Sequence, residues 1–359
     1  MKKIILAFSA TMLCLASFAT VRTVSNFLFS AGSFSTIQAG IDASVSGDTI
    51  YVSGSPNGYA GFTITNKQLT IIGAGWAPDK NLGLTSAITN SSEVHIIGAA
   101  STNTEIQGLT FSSGIHINVN NNVPSGLRFI RNNFAGNELR LNGTTTYSNY
   151  LFEGNVFDNS TITGNASATF QNILFQNNLF VENGCCRNGN INSLSNCVNV
   201  LFDHNLWYGG NRSCFTGTCR FINLTNNIFV GRNPSSGLSS STFSNNLTFN
   251  CADNTPWNSN SNVNASNSNI ANQDPLMAAQ ATANGSGTCG TCDFTIASSI
   301  ANNAGSDGKD IGLLFDANGS LNWTRSRTSI LPYIVSMNLQ SPNVTSGGNI
   351  TVTIEARKN

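Results

Sequence analysis

Apolar and polar positions along this chain repeat as a unit: an aromatic or Leu, two residues, an Asn, one residue, then an aromatic. The unit appears at Phe129, Asn132 and Phe134; at Phe152, Asn155 and Phe157; and at Phe175, Asn178 and Phe180. It returns at Phe202, Asn205 and Trp207, and at Leu224, Asn227 and Phe229. A weaker copy centres on Asn246 after Phe243, and Phe111, Gly114 and His116 carry Gly in the Asn place. Successive Asn residues are 23, 23, 27, 22 and 19 apart. Such a period with short alternating runs predicts one coil of a solenoid per repeat. No coil can bury its apolar side alone, so each needs a neighbour about 4.8 Å away. The Asn is expected at a tight turn that tolerates the left-handed backbone, with its amide bonded to the same Asn of the next coil. The flanking rings should then stack inside. Leucine-rich repeats share the period, but Gly, Asn and Thr interrupt every segment here and no long helical run appears. The expectation is an all-β parallel β-helix.

Both ends extend this reading. Phe34, Ile37 and Ile41 stand at helical spacing and predict a short amphipathic helix laid over the open first coil. Gly47-Asp-Thr-Ile-Tyr-Val52 follows, then Phe62-Thr-Ile-Thr65 and Leu69-Thr-Ile-Ile-Gly-Ala-Gly75. This stretch resembles the N-terminal part of the pectin lyase-like superfamily of right-handed parallel β-helix proteins. Asp274-Pro-Leu-Met277, Asp293 to Gly305 and Asp310-Ile-Gly312 are similar to the closing segment of its secreted bacterial members. The resemblance spans residues 31 to 315 and implies architecture. It does not imply one activity, because the superfamily holds lyases, hydrolases, adhesins and non-catalytic proteins. Beyond Pro332, the alternation of Tyr333 to Leu339 and of Ile350 to Ile354 predicts a two-stranded appendage on the last coils.

Residues 1–19 read as a signal peptide: Lys2 and Lys3, an apolar Ile4–Phe18, and small residues ending at Ala19. The expected division is signal peptide 1–19, N-terminal cap 20–46, β-helix 47–315 and C-terminal strand pair 316–359. Removing the signal leaves 15 basic and 17 acidic residues, too balanced to steer the chain to nucleic acid or an anionic membrane. No later run is long enough to span a membrane. Charged residues make up only 9% of the chain, so hydrogen bonding on its surface falls to neutral groups. The expected location is outside the cytoplasm: secreted, periplasmic or on the surface of a Gram-negative-type bacterium, as a monomer.

Eight cysteines remain after cleavage, an even number that favours disulfides in an exported protein. Cys197 and Cys219 each precede a repeat Asn by eight residues, which predicts a Cys197–Cys219 bond between adjacent coils. Cys185 or Cys186 is expected to bond Cys214. Cys289 and Cys292 read as a local disulfide or loop staple rather than a metal or redox motif.

In catalytic relatives of the resembling superfamily, substrate lies along the outer face of one parallel sheet. Here the strands after each turn leave His116, Asn118, Glu138, Arg140, Thr161, Thr163, Asn190 and Asn192 pointing outward. Proton abstraction beside a uronate carboxylate needs a base and a cationic or Ca²⁺ cluster. Arg140 is the candidate base, with His116 and Glu138 nearby. Ca²⁺ belongs only to that alternative, because Glu138 stands nearly alone where a calcium site wants several carboxylates. No cofactor is otherwise expected. The paired carboxylates of a hydrolase are missing from the sequence pattern. Asp203-His204 reads as polar turn decoration and His95 as a satisfied strand residue. Planar amides and hydroxyls suit sugars, with Tyr208 expected to reach the surface as a stacking ring. Tyr51, Tyr59 and Trp76 read either as a second stacking patch or as a packed cap. The favoured expectation is a non-catalytic exported module, a surface scaffold or glycan binder whose partner is a polysaccharide or cell-surface component. A polysaccharide lyase acting through Arg140 on a uronate polymer is the alternative.

Overall fold

The computed structural model describes residues 19–27, 34–75, 87–88, 93–112, 116–119, 122–141, 143–181, 191–210, 212–266, 268–279, 293–296, 298–315, 332–339 and 352–358. The signal-peptide reading therefore lies outside the described residues, apart from Ala19. So do Cys185, Cys186, Cys289, Cys292, Asn190 and Trp76.

The chain forms a right-handed parallel β-helix of about eight turns. Among the described residues three parallel sheets run along the coils, with 12, 8 and 7 strands. One coil shows the order: Arg128–Ile130 lies in sheet A, Asn133–Ala135 in sheet B and Glu138–Arg140 in sheet C. The chain then returns to sheet A at Leu151–Glu153, in register with Arg128–Ile130. Middle residues point inward, so Phe129, Phe134 and Leu139 are buried and the flanking residues face out.

The repeat Asn residues form a single file at the corner between sheets A and B. The Oδ1 of Asn178 accepts from the backbone N–H of Asn155 at 2.9 Å and from its Nδ2 at 3.0 Å. The Nδ2 of Asn178 donates to Phe152 O at 2.9 Å and to Asn205 Oδ1 at 3.0 Å. The same pattern joins Asn132 to Asn155, Asn205 to Asn227, Asn227 to Asn246 and Asn246 to Asn269. Each fully buried amide is thus saturated by its neighbours above and below, as buried polar groups must be.

One detail differs from expectation. The left-handed residue is the one before the ladder Asn: Arg131, Gly154, Asn177, His204, Asn226 and Asn245. The ladder residue itself keeps ordinary backbone, which aims its amide along the stack. A second left-handed column enters sheet A at Asn103, Gly126, Asn149, Asn172, Asn199, Phe221 and Ser240. Of 21 described non-glycine residues with positive φ, 14 are Asn, so left-handed turns account for part of the Asn-rich composition.

Two ring columns fill the interior. Phe129, Phe152, Phe175 and Phe202 stack at centroid distances of 5.3, 4.5 and 4.2 Å. Phe111, Phe134, Phe157, Phe180, Trp207 and Phe229 stack at 5.2, 4.7, 4.9, 4.6 and 4.8 Å. Coil spacing imposes these near-parallel contacts, each worth about 0.5–1.5 kcal/mol beyond its buried area.

The N-terminal helix is Ile37–Ala43, with Thr36 Oγ1 accepting from Ala39 N at 3.1 Å as its cap. Ile37, Gly40 and Ile41 are buried, and a Cβ on Gly40 would lie 3.0 Å from Val24 Cγ2. Phe34 lies outside the helix and bridges Val24 instead. Val21–Val24 already pairs with Thr49–Val52, so the cap supplies the first strand of sheet A as well as a lid. Buried Asp48 ties them together, accepting from Thr20 N at 2.7 Å, Val45 N at 3.0 Å and Arg22 Nε at 3.2 Å. Burial opposes its charge, but those donors outweigh it and hold the carboxyl below its ordinary value. Beyond the coils, Pro332–Leu339 and Val352–Lys358 form the expected antiparallel pair.

The Cys197–Cys219 bond is not formed. Both are buried thiols: Cys197 Sγ contacts Leu194 O at 3.4 Å and Cys219 Sγ contacts Thr216 O at 3.5 Å. Cys197 runs in register with Phe170, whereas Cys219 sits in a separate pairing with Leu238–Ser239. The equal offset from the repeat Asn therefore did not place them on one straight ladder. Burial pushes Cys219 up to about 11 and Cys197 higher still, so neither supplies a thiolate. Cys214 is buried, and its expected partners lie outside the described residues.

Asn178→Ala strands the N–H of Asn155, one Nδ2 proton and the Phe152 carbonyl, so chemical denaturation should show a loss of roughly 3 kcal/mol or more. The contribution of Asp48 is complete above the ordinary carboxylate value of 3.8 and is lost as pH falls below it through the depressed folded value. Denaturation midpoints of the wild type should therefore fall more steeply below about pH 4 than those of Asp48→Asn.

Candidate functional site

The three outer faces differ. In sheet B the triplets Leu179–Val181, Leu206–Tyr208 and Ile228–Val230 are apolar at every position, the mark of a strand buried on both sides. Their outer residues pack against Met277, Phe294, Ile296, Ala301, Ile311 and Leu313. Tyr208 is accordingly not a surface ring. It is fully buried, edge-on to Phe294 with centroids 5.4 Å apart.

The covering segment is fastened to the left-handed corner. Asn226 Oδ1 accepts from Ser306 N at 2.8 Å, and Asn177 Oδ1 accepts from Leu314 N at 2.7 Å. Gly312 N donates to Asn226 O at 2.8 Å, while His204 Nδ1 lies 3.2 Å from Gly312 O. Gly312 passes so close that a Cβ would meet Ile228 Cδ1 at 2.7 Å. The other ring nitrogen of His204 faces Asn226 Nδ2 at 3.1 Å, Asp307 at 3.4 Å and Asp203 at 3.9 Å. Burial raises the Asp203 carboxyl above its ordinary value, with His204 and the Asn226 and Gln176 amides acting against that rise. Asp203-His204 is therefore a docking corner for the closing segment rather than turn decoration.

Sheet C presents a polar outer face, as sheet A does where Arg128 Nε meets Glu105 Oε2 at 2.9 Å. Register places His95, Asn118, Arg140, Thr163, Asn192 and Thr216 in one file. Alongside it run His116, Glu138 and Thr161. Within this face Arg140 Nε meets Glu138 Oε2 at 3.0 Å, and Arg140 NH1 meets Glu93 Oε1 at 3.6 Å. Asn118 Nδ2 donates to Glu93 Oε2 at 2.7 Å, and His95 Nε2 lies 3.4 Å from the same oxygen. Thr163 Oγ1 donates to Glu138 Oε1 at 2.6 Å. The network spans four strands and remains in contact with water, with Arg140 29% and Glu93 37% exposed.

Of the residues predicted outward, Arg140, Glu138, Asn118, Thr163 and Asn192 share this face. Asn118 and Thr161 are largely buried, and Asn118 supports the network through Glu93 rather than presenting itself. The backbone of His116 is in register with Glu138. Sequence reasoning missed Glu93, while His95 lies in the strand Val94–Ile97 with its ring against Glu93. The alternation Glu93-Val-His95-Ile carried the signal, since counting back 23 from Asn118 reaches His95. Tyr59 is buried, its hydroxyl donating to Ser53 O at 2.8 Å, so it belongs to a packed cap. Among the described residues no group of three or more His, Cys, Asp or Glu is arranged to hold a metal ion. No helix among them is long and apolar enough to cross a membrane.

No protein-family model matches the chain, and no curated protein is significantly similar to it. Among solved structures, it is similar to a pectin methylesterase from Aspergillus niger at 15% identity and a TM-score of 0.27. That match covers 65% of this chain and 86% of the other. It is also similar to pectate lyase Pel9A at 13% identity and a TM-score of 0.31, covering 82% and 96%. The architecture of this chain rests on its own strand register, and the activities of those enzymes stay with them.

Asn226→Ala removes the bonds to Ser306, Asp203 and His204, loosening residues 299–315 locally by about 2 kcal/mol. Limited proteolysis should cut that segment at least tenfold faster while the coils persist.

Proposed function

We propose that the protein is a non-catalytic glycan-binding β-helix, placed outside the cytoplasm, with its ligand lying along the outer face of sheet C. The observation that carries this reading is the engagement of Arg140 between Glu138 and Glu93. Arginine stays protonated in proteins, and this guanidinium is held by two carboxylates. A guanidinium so held is a hydrogen-bond donor rather than a base for proton abstraction. The carboxylates are equally occupied: Thr163, Asn118 and Arg140 supply donors to their oxygens. Such a lattice of fixed donors and acceptors can read sugar hydroxyls and carboxylates without changing protonation state. The supporting composition is a surface rich in amides and hydroxyls with few charges. The secretory reading of residues 1–19 supports the location. A scaffold role on a cell surface uses the same neutral exterior.

The test is a panel of soluble polysaccharides, including uronate polymers with and without Ca²⁺, followed by calorimetry and by ultraviolet absorbance for an unsaturated product. Binding without turnover is expected, with Arg140→Ala weakening it about tenfold, equivalent to ~1.4 kcal/mol. Unsaturated product that disappears in Arg140→Ala would replace this reading with a lyase. Silence in both assays would leave the scaffold role.

A further inference from the structure

The left-handed column at the start of sheet A contains one residue that local physics does not favour. Asn103, Gly126, Asn149, Asn172, Asn199 and Ser240 all adopt positive φ, as small or amide residues readily do. Phe221 occupies the same column with φ 61°. It precedes Ile222, the register partner of Val200, and so follows Asn199 in the file. A bulky residue in this region is strained. The residue is 54% exposed, so burial offsets that strain only in part.

The amides below the ring form an external ladder. Asn199 Nδ2 donates to Asn172 Oδ1 at 2.9 Å, and Asn172 Nδ2 donates to Asn149 Oδ1 at 3.2 Å. Each Oδ1 in the ladder takes its proton from the coil above. Phe221 has none to give, so the ladder stops at Asn199, an exposed residue one coil before Phe221 in the file. Val198 and Arg220, the residues before Asn199 and Phe221 in sequence, are exposed.

We propose that Phe221 and the Asn199–Asn172–Asn149 ladder form a second saccharide-binding site, separate from the face of sheet C. The ring offers one apolar platform, the size of a single pyranose face. The Asn199 amide oxygen accepts a sugar hydroxyl, and the ladder continues hydrogen bonding along the coil axis at the strand spacing. A protein partner is a poorer match, because two exposed apolar side chains fall far short of the apolar centre of a stable interface. The inference shares its ligand class with the proposed function and rests on that reading.

Phe221→Asn tests it with little risk of unfolding, since Asn is the residue the column uses elsewhere. Its thermal midpoint should equal or exceed that of the wild type. The probes are homogalacturonan, arabinoxylan, xyloglucan, mixed-linkage β-glucan and chito-oligosaccharides, titrated against wild type, Phe221→Asn, Phe221→Tyr and Arg140→Ala. At least tenfold weaker binding to one probe in Phe221→Asn, with retention in Phe221→Tyr, supports the site. Wild-type affinity in Phe221→Asn overturns it, and loss in Arg140→Ala alone then leaves the sheet C reading intact. Failure of the wild type to bind any probe overturns both.

Discussion

The structure depends on one constraint: a chain that turns three corners per coil must satisfy the buried polar groups at each of them. At the corner between sheets A and B the side chain of a single Asn does this. It accepts the N–H of the Asn in the coil before, donates to a carbonyl of that coil, and passes its second proton to the next. Because these bonds cross from coil to coil, they resist slippage between coils, and the ring columns follow from the register they fix. A solenoid so bonded gains stability from nearest neighbours.

The same constraint explains how the surface is divided. Each corner needs a left-handed residue, and Asn is the side chain that tolerates that backbone while still bonding its neighbours. Side chains on the corner between A and B are consumed in holding the closing segment, as Asn177 and Asn226 are. That segment in turn hides the apolar exterior of sheet B. Sheet C carries an organised polar network in water, centred on Arg140 between two carboxylates.

Much of this was legible in the sequence. The repeat gave the coil, the Asn file and the ring columns, and alternation in each strand put Glu138, Arg140 and Thr163 outward. What failed did so for local reasons. Glu93 lies in a coil with no Asn marker, so only the 23-residue step back from Asn118 reveals its register. Alternation within its own strand puts Tyr208 outward, whereas the neighbouring triplets at 179–181 and 228–230 are apolar throughout and demand cover on both faces. Asp203 and His204 acquire their partners from Asp307 and Gly312, about a hundred residues away, which no local pattern reveals. Equal offsets from the repeat Asn suggested a Cys197–Cys219 bond, but offset along the chain does not fix direction once the backbone leaves the ladder.

Amide hydrogen exchange tests the central claim most directly, because the backbone N–H of each ladder Asn is bonded by a side chain rather than by a strand. The account predicts that the amides of Asn132, Asn155, Asn178, Asn205 and Asn227 rank with the slowest in the molecule and open together. Exchange of those five at the rate of the exposed turn amides, while neighbouring strand amides stay protected, would contradict it.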